Sequence, residues 1–200
     1  MNIYGASGHG KVVADILKSI PLPIDNIFDD NPDVKEFMGL KVQHKPTEAM
    51  LKLPSLLAIG NNVIRKKVAR QFNGEIGQAV VHRRAIVSNS SILGDGSLVM
   101  PGAIINADTK IGRHCIINSG AVVEHDVEIS DFVHISPNAV VTGNVQIGEG
   151  TQVGAGASVI PGIKIGKWAT IGAGAVIIEN IPDFAVVVGN PGKIIKYSNE

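Results

Sequence analysis

The segment "INSGAVVEHDVEISDFVHI", residues 117–135, repeats an aliphatic side chain every six positions, at Ile117, Val123, Ile129 and Ile135. The same spacing extends both ways without a miss: Val87, Leu93, Val99, Ile105 and Ile111 before it, Val141, Ile147, Val153, Val159, Ile165, Ile171 and Ile177 after it. A period of six fits neither a helix nor a hairpin. It fits a β-solenoid built from short flat faces with a turn after each. Four residues past each anchor the side chain is usually small or β-branched, as at Ser91, Ser97, Ala103, Thr109, Cys115 and Ala121, which suits an inward corner. Gly often follows the anchor, as at Gly94, Gly112, Gly148, Gly154, Gly166 and Gly172. Residues 87–176 hold fifteen repeats, hence five triangular coils. At a strand spacing of about 4.8 Å that prism is roughly 24 Å tall.

The first 80 residues follow another rule. "MNIYGASGHGKVVADILKS" reads strand, glycine turn, helix, and "DNIFDDNP" reads as a second strand ending in a turn. "PTEAMLKL" reads as a short helix, and "SLLAIGNN" as a third strand ending in Gly and Asn. "VIRKKVARQF" has helical spacing with an apolar face of Ile64, Val68 and Phe72, and "QAVVH" is a short strand leading to the solenoid. Strand–helix alternation predicts a small open parallel sheet. The predicted fold is thus an α/β Rossmann-like domain over residues 1–82, then an all-β solenoid with a C-terminal tail over residues 83–200.

Composition narrows the function. Lys plus Arg equals Asp plus Glu at 18 each, so no general attraction to nucleic acid or to an anionic membrane is expected. The single Cys115 permits neither an intrachain disulfide nor a cysteine-based zinc site; its corner position makes it a core residue, and a reducing cytoplasm is the simplest compartment. No signal peptide is expected at the N-terminus, and no apolar run approaches the roughly 20 residues of a membrane helix. The histidines form no metal-binding constellation.

Gly5, Gly8 and Gly10 form G-x-x-G-x-G between strand and helix, a spacing that differs from the dinucleotide fingerprint. The shared physics is a helix N-terminus with exposed amides, which favours a phosphate or diphosphate. Ligands of open parallel sheets bind beyond the strand C-termini. Three strand ends carry polar groups there: Ser7, Gly8 and His9; Asp29 and Asp30; Gly60, Asn61 and Asn62. They are the predicted sugar-nucleotide site, with the two acids facing the base and ribose, since they would repel the diphosphate.

"IYGASGHGKVVADIL", then "FDD", "AIGNN" and a hexapeptide solenoid carrying "EHD" together resemble the PglD/NeuD-type sugar acetyltransferases over nearly the whole chain. The resemblance implies a left-handed β-helix, an acetyl-CoA co-substrate, a nucleotide-sugar acceptor and a homotrimer with active sites between subunits. It implies N-acetylation of the 4-amino group of a UDP-linked 4-amino-4,6-dideoxy sugar, in bacterial glycan biosynthesis. GDP-perosamine N-acetylation and O-acetylation of sialic acid or another sugar are the alternatives within the family. A non-enzymatic solenoid scaffold is the alternative outside it, which leaves the acid-flanked His125 and the strand-end pocket without a purpose.

The resemblance makes His125 the general base. The acceptor amine must lose a proton as it attacks a thioester, and imidazole titrates in the right range. Asp126 stands where the family places an acid, often Glu, that orients the ring; Glu124 is the weaker candidate. His134 matches a position whose ring contacts the thioester region of acetyl-CoA. It lies nine residues on, half a coil round the prism, so a cleft between subunits is needed to bring the two together. The resemblance also assigns acetyl-CoA to the backbone around Ala155 and Ala173, and Lys193 or Lys196 in "VVGNPGKIIK" to the CoA phosphates; a tail packed on the last coil with both lysines solvated is the alternative. His82, His114 and Trp168 are left without a definite role, and His44 reads as a solvated loop residue. Outward aliphatics such as Ile104, Ile116 and Val122 argue for a partner.

Overall fold

The computed structural model describes residues 1–198, so the last two residues of the second domain lie outside it. In the first domain β1 (Asn2–Tyr4) lies between β2 (Ile27–Phe28) and β5 (Ser55–Leu57), all parallel. The sheet order is β3-β4-β2-β1-β5, because β4 (Leu40–Gln43) adds to β2 and pairs antiparallel with β3 (Glu36–Phe37). That hairpin is an addition to the three expected strands. Its two-residue turn is Met38-Gly39, both at positive φ, and a Met in that position carries no turn signal to read. Helix α1 (Gly8–Ser19) buries Val13, Ala14, Ile16 and Leu17. It comes close to the sheet through glycine: a Cβ on Gly10 would lie 2.3 Å from the Gly5 carbonyl oxygen. Short α2 (Glu48–Leu51) buries none of its residues.

Helix α3 (Asn62–Gln71) overturns one expectation. Its inward residues are Asn62 and Arg65, while Ile64 is 51% exposed. The helix docks on a rim of backbone carbonyls, where donors are worth more than methyl groups.

The solenoid follows the count. Each strand has two main residues, and residue i pairs with i+18, so three hexapeptides make one coil. The fold is an α/β sheet domain followed by a left-handed parallel β-helix. Alternation within a two-residue strand turns the anchor inward and its predecessor outward. All anchors from Val99 to Ile177 are buried, as are Ser97, Ala103, Thr109, Cys115 and Ala121.

The outward residue just before each anchor gives each face its character. One face carries Ile86, Ile104, Val122, Val140, Ser158 and Val176. A polar face carries Ile92, Lys110, Glu128, Gln146 and Lys164. The third begins with Val80–Val81 and presents Leu98, Ile116, His134, Gln152 and Thr170, ending in Ala185–Val188 and the antiparallel Lys193–Tyr197. The first domain docks on this third face. Leu98, Met100 and Ile116 share one apolar cluster with Ile3, Val13, Leu17 and Leu56. Ile116 is therefore not an exposed aliphatic as expected: it is fully buried beneath the first domain.

Candidate functional site

The predicted polar residues meet at one end of the first domain's sheet, beyond β1, β2 and β5. Ser7 precedes α1 without capping it by its side chain, and both Ser7 and Gly8 are exposed. A Cβ on Gly8 would touch nothing within 4 Å, so the helix N-terminus opens onto free space. His9 turns inward, and its Nε2 is buried without a partner. Burial, with the Arg65 cation second, pulls its pKa down to about 4.

The acids are more committed than the sequence suggests. Asp29 accepts from the Ala6 amide through Oδ2 at 2.7 Å and from the Asn31 amide through Oδ1 at 2.8 Å. Asp30 accepts from the Tyr4 hydroxyl, whose pKa is raised by burial first and by Asp30 next. Both carboxylates brace the loop after β2. His44 is likewise not simply solvated: its Nδ1 lies 2.9 Å from the Asp29 carbonyl oxygen. Asn61 caps α3, its Oδ1 accepting from the Ile64 amide at 3.0 Å.

The solenoid contributes His134 to this cluster. Its environment includes Arg65, His9 and the Gly60 backbone, and burial above all lowers its pKa to about 4. Asn118, a residue the sequence reading passed over, donates to its Nε2 at 2.9 Å. The Ser119 amide donates to Asn118 Oδ1 at 2.8 Å and so sets which end of the amide is the donor. His134 Nε2 is then an acceptor, and the proton of the neutral ring is on Nδ1.

His125 lies elsewhere, on the corner between the aliphatic and polar faces. Its Nδ1 is 2.8 Å from Asp126 Oδ2. Asp126 has φ 57, in a column with Asp108, Asn144 and Gly162 that share positive φ. Asp and Asn tolerate that conformation better than most residues, which gives a physical reason for Asp at this position. The short side chain does reach the ring. Asp126 raises the His125 pKa, while Glu124 adds only a smaller push. The side chain is 61% exposed. One coil up stands Gly143, where a Cβ would lie 2.7 Å from the imidazole Cε1.

The remaining candidates separate. Ala155 and Ala173 stack on the corner between the docked and aliphatic faces, both exposed, with Gly174 N–H donating to the Ala155 carbonyl at 2.8 Å. Lys193 is exposed on the terminal strand, opposite Val188. His114 is buried, stacked on Phe132 at 5.1 Å, with burial lowering its pKa to about 4. His82 accepts from the Arg84 amide and so caps a turn. Trp168 packs under Lys66, whose Nζ is 4.9 Å from the ring.

Relatives place this arrangement in a class. The model of the PglD N-terminal domain matches residues 1–72, and that of the bacterial transferase hexapeptide repeat matches stretches between residues 90 and 179. The chain belongs to the PglD-type family of hexapeptide-repeat sugar N-acetyltransferases. A histidine-to-asparagine mutant of perosamine N-acetyltransferase from Caulobacter crescentus, in complex with CoA and GDP-perosamine, superposes with a TM-score of 0.90 at 36% identity, covering 98% of this chain and 96% of that one. The acetyltransferase domain of PglB from Neisseria gonorrhoeae, in complex with acetyl coenzyme A, gives 0.88 at 35% identity over 97% and 98%. UDP-N-acetylbacillosamine N-acetyltransferase of Bacillus subtilis is 43% identical over 111 residues, 49% of this chain; the match spans 50% of that curated relative.

Among the described residues no group of His, Cys, Asp and Glu could hold a metal ion, and no helix is long and apolar enough to cross a membrane.

Proposed function

We propose that the protein transfers the acetyl group of acetyl-CoA to the 4-amino group of a UDP-linked 4-amino-4,6-dideoxy sugar. The observation that carries this reading is the His125–Asp126 pair. Asp126 accepts from Nδ1–H, so Nε2 holds its lone pair outward on an exposed ring. That is the form a general base needs. The amine nitrogen forms a bond to the thioester carbonyl carbon, and His125 Nε2 takes the proton the amine loses. Collapse of the tetrahedral intermediate breaks the C–S bond, and the proton passes to the departing thiolate.

The sugar nucleotide enters the strand-end pocket, with its diphosphate at the open N-terminus of α1 beside Ser7 and Gly8 and its sugar toward His9 and His134. The open space above Gly8 supports this placement. Gly60 and Asn61 form the opposite wall, and Asp29 and Asp30 shape the nucleoside end. Acetyl-CoA lies along the exposed column of Ala155 and Ala173, with Lys193 toward its phosphates. Within one chain His125 stands on the corner between the aliphatic and polar faces, while His134 stands on the docked face. A homotrimer, in which one subunit's His125 faces the pocket of another, completes the site, and the aliphatic face of Ile104 and Val122 is its interface.

The relative from Bacillus subtilis favours a UDP-linked acceptor, and the Caulobacter enzyme favours GDP-perosamine as the second reading. A panel test separates them: thiol release from acetyl-CoA with UDP-4-amino sugars, GDP-perosamine and sialic acid. Turnover with a UDP-amino sugar that is lost in His125→Ala is the expected result. Turnover only with GDP-perosamine selects the second reading, turnover only with sialic acid replaces N- by O-transfer, and silence across the panel overturns both.

A further inference from the structure

Arg65 is a cation with 1% of its surface exposed, and every partner it has is neutral. Its five N–H groups meet five acceptors. Nε donates to the His114 carbonyl at 2.9 Å. Nη1 donates to the carbonyls of Ile59 at 2.8 Å and Gly60 at 3.2 Å. Nη2 donates to Asn62 Oδ1 at 2.8 Å and to the Phe132 carbonyl at 2.9 Å. Asn62 in turn donates through Nδ2 to the Gly150 carbonyl at 3.0 Å.

These acceptors fall into two groups. His114, Phe132 and Gly150 are 18 residues apart, so they are equivalent corner positions on three successive coils. Ile59 and Gly60 belong to the loop between β5 and α3, which walls the strand-end pocket and meets His134. Burying a charge is costly, and an apolar side chain of similar volume would fill the space at lower cost. What an apolar side chain cannot do is hold two sets of carbonyls in one plane. The planar five-donor fork of arginine does.

We infer that Arg65, with Asn62, is a positioning residue that sets the loop bearing Gly60 and Asn61, and with it the sugar-nucleotide pocket, in one register against the solenoid coils. Its kinetic consequence rests on the function proposed above; its structural consequence does not.

The test is Arg65→Lys, which keeps the charge but has three donors on a single nitrogen and cannot span the fork. In the ligand-free variant, hydrogen exchange of the amides at residues 59–64 accelerates, while that of Asp126 and Asn144, beside His125, stays as in the wild type. KM for the sugar nucleotide rises roughly tenfold, as expected for lost hydrogen bonds to a charged group, and KM for acetyl-CoA changes by less than about twofold. A role in general stability alone would raise exchange at both places and would not separate the two KM values. Asn62→Ala removes one acceptor and the Gly150 contact, and gives the same pattern more weakly; it decides the matter if Arg65→Lys does not fold. Unchanged exchange at 59–64, or two KM values that rise together, overturns the inference. Absence of turnover by the wild type with any sugar nucleotide overturns the proposed function instead, and the exchange measurement still decides the role of Arg65.

Discussion

The imidazole of His125 lies against Gly143, one coil of 18 residues further along the prism, where a Cβ would approach its Cε1 to 2.7 Å. The ring is exposed and free to swing away. Gly143→Ala therefore leaves folding nearly unchanged but displaces the imidazole. The expected outcome is a circular dichroism melt close to wild type, with kcat/KM reduced by roughly a hundredfold, the scale of a misplaced reacting group. Wild-type turnover would show that the ring's position over this glycine is immaterial.

His125→Ala removes the proposed base outright. General-base catalysis contributes roughly 10²–10⁴-fold, and kcat/KM should fall by that amount with little change in binding of either substrate. Steady-state kinetics, with calorimetric titration of acetyl-CoA, check both halves.

Asp126 raises the pKa of His125, so the acid limb of kcat/KM lies above that of an ordinary imidazole. The base acts when neutral, and activity rises as pH climbs through this limb. In Asp126→Asn the limb moves to lower pH. Activity on the plateau also drops, because the amide can donate to Nδ1 as well as accept from it and no longer holds the ring's proton there. A pH profile with an unmoved limb would separate Asp126 from the titrating group.

His9, His114 and His134 are each lowered to about 4, chiefly by burial. The unfolded chain binds these protons near pH 6.5, the folded one only near 4. Between those values the unfolded state holds more protons, so stability falls as pH drops through the window and is level above it. Thermal unfolding midpoints measured from about pH 8 down to about pH 4 should show a plateau and then a decline.

Cys115 sits fully buried in an inward corner, and burial pushes its thiol up to about 12. It should resist a thiol-specific reagent until the protein is unfolded, and Cys115→Ala should retain activity. Rapid labelling of the native protein would contradict the buried corner.

The solenoid could be read from the chain because a six-residue anchor period is a local property. Each anchor faces inward whatever else the protein does, and the columns of small corner residues repeat with it. The glycine turn and the three polar strand ends were also legible, since an open parallel sheet exposes those ends by construction. His125 with its neighbouring acid could be singled out by resemblance. Three things needed the tertiary structure. The apolar face assigned to α3 gave way to Asn62 and Arg65, because the surface they meet is a rim of carbonyls that no sequence pattern displays. Ile116 passed from exposed to buried because the first domain covers one face of three, and a docking partner is not encoded in the period. Asp29 and Asn61 proved to be engaged with backbone amides and Asp30 with the Tyr4 hydroxyl, and Asn118 emerged as the group that sets the proton on His134. The sequence determined the repeating backbone, whose rule is local; the structure decided which side chains meet across elements far apart in the chain, because only the packed fold brings their hydrogen-bond donors and acceptors within reach.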